Sequence, residues 1–169
     1  HAIVTGGSTL IGAGLVEAFV KAGATVTIAD IDAERGQAIA DACGKSAWFR
    51  QTDISDDGQL EACVAESAKK FGRIDFVVNA ACVYVDDGIN ASRSDWLTSM
   101  NVNLISAAML VKAALPWMKK SGGGAVVNFT SISSQARCPC RSSVTIYGNA
   151  LPLTRSRTGY SSGRTRSNK

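Results

Sequence analysis

Histidine is almost missing from this chain: His1 is the only one in 169 residues. Without a second His or Cys cluster, Cys138-Pro139-Cys140 is half of a metal site with no other half, so no metal is expected. The five cysteines are odd in number and irregularly spaced, which excludes a disulfide framework and implies reduced thiols in a cytoplasmic setting. No apolar run reaches the roughly 18 residues that cross a bilayer, so no membrane partner is expected. No basic-then-apolar leader stands before the first strand-like run. The chain starts there without a Met, which implies a trimmed N-terminus. Acidic residues are missing after Asp95. All fourteen lie in 1–95 beside eight Lys and Arg, a net −6; the other ten basic residues give 96–169 a net +10. That asymmetry raises the question of a nucleic-acid arm, with Arg155, Arg157, Arg164 and Arg166 set among Ser and Gly. A solvated terminus accounts for the same residues, and no nucleic-acid partner is expected.

What is present is an alternation of strand-like and helix-like segments in a chain that is 46% hydrophobic, enough for a core. Strands are predicted at 2–5, 24–29, 47–50, 74–78 and 125–130. Helices are predicted at 11–22, at 32–43 with Asp32 as N-cap, and at 56–71, where Leu60, Cys63, Val64, Ser67 and Ala68 share a face and Gly72 stops the helix. A long helix is predicted from about Asp95 to Lys120, bent near Pro116. Such alternation implies one α/β domain over 1–169: a Rossmann-like, doubly wound parallel sheet with helices on both faces, in three layers. Ligands bind such sheets beyond the carboxyl ends of the strands.

The candidate residues fall at those ends. In Thr5-Gly6-Gly7-Ser8-Thr9-Leu10-Ile11-Gly12, a Cβ at Gly6 or Gly12 would crowd the turn or a pyrophosphate. The helix N-terminus behind them offers free N–H groups and a partial positive charge, to which Ser8 and Thr9 add hydroxyls. A plain glycine turn is the other reading of this segment alone. Asp30, followed by Ile31, ends the second strand, where a carboxylate accepts from both ribose hydroxyls of NAD and repels the extra phosphate of NADP. It could instead cap a helix, but Asp32 is better placed to do so. Asp53 and Ile54 follow the third strand, and Asp53 can receive an adenine amino group. Asn79-Ala80-Ala81 ends the fourth, where small residues let backbone approach a cofactor.

These residues resemble the short-chain dehydrogenase/reductase superfamily. TGGSTLIG is similar to its TGxxxGxG, with Leu10 at the middle glycine. Asn79-Ala80-Ala81-Cys82 resembles NNAG, Asn101-Val102-Asn103-Leu104 resembles NVNL, and Val127–Ser133 resembles the strand bearing the catalytic serine. The match runs through 2–134. The resemblance implies an NAD-dependent oxidoreductase that interconverts a small-molecule secondary alcohol and a ketone, usually as a homo-oligomer. It assigns Ser131 to the substrate oxygen, Asn103 to a proton-relay water held by a kink in its helix, and Tyr147 to proton transfer. It places substrate choice in the loop Val83–Ala91 and in a C-terminal region that this chain lacks.

The family's YxxxK pair is broken, since Leu151 stands four residues after Tyr147 and no lysine occurs between Lys120 and Lys169. A phenol has a pKa near 10, and each unit of depression takes about 1.4 kcal/mol, which the lysine normally helps supply. Two readings of Tyr147 follow: a catalytic phenol, or an ordinary half-buried one on a helix. An alternative function follows too, a catalytically impaired dinucleotide-binding module. Residues 135–169 depart from the family pattern as an aberrant, disordered segment. The stretch 135–152, rich in Arg, Ser, Cys and Pro, has the composition of GC-rich DNA read out of frame.

Overall fold

The computed structural model describes residues 1–85, 90–129 and the backbone of 151–153. In chain order the elements are β1 (Ala2–Thr5), α1 (Leu10–Lys21), β2 (Val26–Asp30), α2 (Ala33–Cys43), β3 (Ala47–Gln51), α3 (Asp57–Phe71), β4 (Phe76–Asn79), α4 (Arg93–Met100), α5 (Ser106–Lys120), β5 (Gly124–Asn128) and β6 (Leu151–Leu153). The sheet order is β3-β2-β1-β4-β5-β6, with the first five strands parallel. The direction of winding reverses between β1 and β4, which opens a crevice at their carboxyl ends.

Strand periodicity sorts the core into two layers. Ile3, Ala29, Val77 and Val126 point to one face and pack with Leu60 and Val64 of α3 and Leu110, Ala114 and Met118 of α5. Ala2, Val4, Val26, Ile28 and Val78 point to the other and pack with Val16 of α1 and Ala40 of α2. Helices therefore cover both faces, and the fold is the three-layer α/β/α arrangement expected from the sequence.

α3 forms as its pattern predicts. Asp56 caps it by accepting from the Gln59 amide, its five expected inward residues are buried, and Gly72 ends it at φ 78°. Asp32 likewise caps α2 through the Arg35 amide.

Element bounds differ from expectation in places; β5, for one, runs Gly124–Asn128 instead of reaching residue 130. β2 starts at Val26, because the Ala24 amide closes the end of α1 on the Phe19 carbonyl. β4 starts at Phe76, because the Ile74 amide donates to the Ser121 hydroxyl (3.1 Å) instead of a neighbouring strand. The predicted long helix begins at Arg93, where Ser92 and Asp95 form a capping box, and it is interrupted by a π-helical turn at Asn101–Ile105, around the Asn103 to which the resemblance assigns a kink; Pro116 lies inside α5. Finally, β6 was not expected; it runs antiparallel to β5 on the sheet edge, the one place where Pro152, without an N–H, is readily tolerated. Apart from these three strand residues, the segment expected to be aberrant, 135–169, lies outside the described residues.

The helical run Arg93–Lys120 is long and apolar enough to cross a membrane, with a mean hydropathy of 1.2 in its best window. In this fold its residues Leu110, Ala114 and Met118 are buried against the sheet.

Candidate active site

Three loops meet at the carboxyl edge, and the glycine turn is the tightest of them. Gly6 has φ +66°, and a Cβ there would lie 2.6 Å from the Ala81 backbone. A Cβ on Gly12 would overlap the Gly6 carbonyl oxygen. The turn thus folds back on the first turn of α1 on one side and abuts the loop after β4 on the other. Thr9 caps α1: its hydroxyl accepts from the Gly12 amide (3.1 Å) and donates to the Gly6 carbonyl (2.7 Å). Its proton goes to the Gly6 carbonyl, and its oxygen caps the helix. The Ser8 hydroxyl lies 3.4 Å from the Asp32 carbonyl.

Asp30 is buried at the end of β2, and both its carboxylate oxygens are held by backbone. Oδ2 accepts from the Ser8 amide (2.9 Å) and Oδ1 from the Asp32 amide (3.1 Å). The carboxylate therefore links the glycine turn to the end of β2. Three large apolar side chains, two in the first turn of α1 and one directly after Asp30, stand in solvent: Leu10 at 93%, Ile11 at 61% and Ile31 at 66% exposure. An exposed apolar group beside a fixed carboxylate and a helix N-terminus is a surface suited to a partly apolar, partly anionic ligand.

Asp53 is exposed; its Oδ1 accepts from the Ser55 amide (2.9 Å) and hydroxyl (2.7 Å), and half-buried Ile54 packs against the α3/α5 core. Asn79 pairs with Asn128 across β4 and β5, its Nδ2 donating to Oδ1 at 2.6 Å. Ala80 packs against the α1/α2 core, and the Ala81 amide lies 3.4 Å from the Thr5 hydroxyl. Asn103 sits in the π-helical turn, where its side chain clasps the Val83 backbone: Oδ1 accepts from the amide (2.8 Å) and Nδ2 donates to the carbonyl (2.9 Å). Ser131 and Tyr147 lie outside the described residues.

Sequence reasoning missed Thr5 and Asn128. Thr5 is buried at the end of β1, with its hydroxyl 3.4 Å from both the Val78 carbonyl and the Ala81 amide. Each of the two missed residues ends a strand beside Asn79, and strand-end polar residues in register were the available signal.

A glycine turn over a helix N-terminus, an acidic residue ending the next strand, and a reversed sheet order at the crevice define a Rossmann-type dinucleotide-binding class of fold. Within that class the chain belongs to the short-chain dehydrogenase family, whose pattern it matches over residues 1–148. It is 35% identical over 142 residues to a probable galactose dehydrogenase of Rhizobium meliloti, covering 81% of this chain and 56% of that protein. It is 34% identical over 166 residues to the L-fucose dehydrogenase of Rattus norvegicus, covering 93% of this chain and 61% of that one. It is 34% identical over 134 residues to a 3-oxoacyl-[acyl-carrier-protein] reductase of Chlamydia pneumoniae, covering 77% and 54%. The chain thus spans little more than half the length of these curated relatives, and the L-fucose dehydrogenase match extends past Ser134.

Proposed function

We propose that this chain carries the cofactor-binding part of an NAD-dependent oxidoreductase that interconverts a secondary alcohol and a ketone. The observation that carries the reading is Asp30. Its buried carboxylate, pinned by the Ser8 and Asp32 amides, has acceptor capacity left for ribose hydroxyls and only repulsion for a 2′-phosphate. Gly6, Gly12 and the α1 N-terminus would hold the pyrophosphate, Ile11 and Ile31 would line the adenosine, and Asn79, Ala80 and Ala81 would border the nicotinamide. When bound, the nicotinamide supplies the hydride acceptor or donor. The chain's own part would be to orient the substrate oxygen through Ser131 and to move its proton through Tyr147. Asn103 would serve the proton relay from within the helix kink, with its side-chain amide committed to Val83. Two of the relatives are named for galactose and L-fucose, which favours a CH–OH group on a polyhydroxy compound as the substrate. A cytoplasmic location and a homo-oligomer belong to the same reading.

Titrating the chain with NADH and NADPH by fluorescence tests it. NADH is expected to bind roughly tenfold or more tightly than NADPH, and Asp30→Ala is expected to abolish that preference, since hydrogen bonds to charged groups contribute about 1.5–3 kcal/mol. Equal binding of the two, or binding of neither, would refute the reading.

A second reading, a dinucleotide-binding module with little catalysis, rests on Leu10, at the family's middle glycine, and on Leu151. The residue at the family's lysine position is apolar and lies on β6, and a leucine cannot supply the cation that depresses a tyrosine's pKa. Turnover that appears only after Leu151→Lys would favour this reading. Turnover in the unaltered chain would remove it.

A further inference from the structure

The π-helical turn at Asn101–Ile105 has a local cause. Ser106 follows it directly, is buried, and donates its hydroxyl proton to the Asn101 carbonyl at 2.8 Å. The Ser106 backbone amide donates to the same carbonyl. One carbonyl thus receives two hydrogen bonds from one residue five positions later. In an α-helix the amide would bond to Val102, four positions back, and a serine hydroxyl would ordinarily fold back on a carbonyl of that same turn. Here the hydroxyl reinforces the wider ring, and so weights the local choice between α and π geometry toward π.

The consequence reaches the crevice. The extra residue in the turn changes the direction in which every side chain of 101–105 points. In the observed geometry Asn103 faces Val83 and makes both hydrogen bonds to its backbone, at 2.8 and 2.9 Å. Val83 lies in the segment after β4, whose Ala80 and Ala81 backbone abuts the Gly6 turn so closely that no Cβ would fit there. A turn relaxed to α geometry would swing Asn103 by about 100°, the rotation per residue of a helix with 3.6 residues per turn, and release Val83.

We propose that Ser106 is a positioning residue: by holding the π turn it aims Asn103 at Val83 and sets the loop after β4 against the glycine turn. The link from that loop to a bound dinucleotide rests on the reading proposed above; the link from Ser106 to Val83 does not.

Amide hydrogen exchange at Val83, together with NADH titration, tests both links in the same protein. Ser106→Ala is expected to speed exchange at Val83 by about tenfold, the equivalent of one net hydrogen bond of about 1.4 kcal/mol, and to leave the buried Val77 amide of β4 unchanged. The NADH dissociation constant is expected to rise severalfold. Ser106→Thr, which keeps the hydroxyl, is expected to retain both properties, and Ser106→Val, of nearly equal volume, to lose both. The Thr and Val pair decides the matter even if the alanine variant folds poorly. Equal Val83 exchange in the Thr and Val variants would overturn the proposal, as would an NADH affinity that stays unchanged while Val83 opens. If the unaltered chain binds no NADH, the functional reading falls, and the exchange comparison still decides whether Ser106 holds Asn103 on Val83.

Discussion

At the scale of single residues, the glycine turn shows a backbone constraint outweighing intrinsic preference. Gly12 lies inside α1, where alanine would normally favour the helix by about 1 kcal/mol. A Cβ at that position would meet backbone, the Gly6 carbonyl and the Gly7 Cα, and not the end of a flexible side chain. Backbone cannot yield without opening the turn, and forcing such contacts typically costs about 1–3 kcal/mol or more. The clash should win: Gly12→Ala is expected to lower the urea midpoint despite its better helix propensity. A midpoint that stays level or rises would show that the turn is looser than described. The same turn explains the fate of Thr9. Sequence reasoning treats a hydroxyl beside a helix N-terminus as a ligand donor, but α1 has no acidic residue in its first turn, and Thr9 is the side chain that caps it.

At the scale of elements, α3 and the α4–α5 run mark the two ends of legibility. α3 has a polar outer face, a five-residue inward stripe, an Asp cap and a terminal glycine, and all four signals agree, so the helix was readable almost to the residue. Leu60 is the anchor of that stripe, 1% exposed and packed within the α3/α5 layer. Leu60→Ala is expected to destabilise the fold by about 2–5 kcal/mol, read from chemical denaturation, through lost transfer free energy and the cavity left behind. A loss under about 1 kcal/mol would mean that α5 collapses onto the gap. The α4–α5 run sends weaker signals. Apolar residues occur on most of its sides, so periodicity gives neither its face nor its break. Propensity points to Pro116 and only the family resemblance to Asn103, because the π-helical break rests on a hydroxyl and a carbonyl five residues apart, which no propensity records. β4 and β6 failed for related reasons. An apolar run does not say which of its amides face a strand, and a three-residue edge strand containing proline carries almost no signal.

At the scale of the whole molecule, the site was legible because parallel topology does the assembling. Once strands and helices alternate, the carboxyl ends of β1, β2 and β4 must meet, and the residues written at those ends meet with them. What the sequence could not supply is the cross-strand pairing that fixes the edge, such as Asn79 with Asn128 or Thr5 with Ala81, because those partners are 49 and 76 residues apart. The charge distribution gives a last test. Asp56 is held below its ordinary value first by the Gln59 amide, Asp75 first by the Arg73 guanidinium, and Asp95 first by the Ser92 hydroxyl. For a carboxyl depressed by folding, the stabilisation is fully present above the unfolded value near 4 and is lost as pH falls through the lower folded value. Three elements, α3, the start of β4 and α4, thus lose support in the same acidic window. Thermal melts are expected to be nearly level from about pH 7 to 5 and to fall steeply below about 4. Asp56→Asn and Asp95→Asn keep a capping side chain but remove the titration, so the double variant should show a shallower acid decline than the unaltered chain. If its decline is just as steep, these caps are not what couples the fold to pH, and the loss must come from charge accumulating across the molecule as a whole.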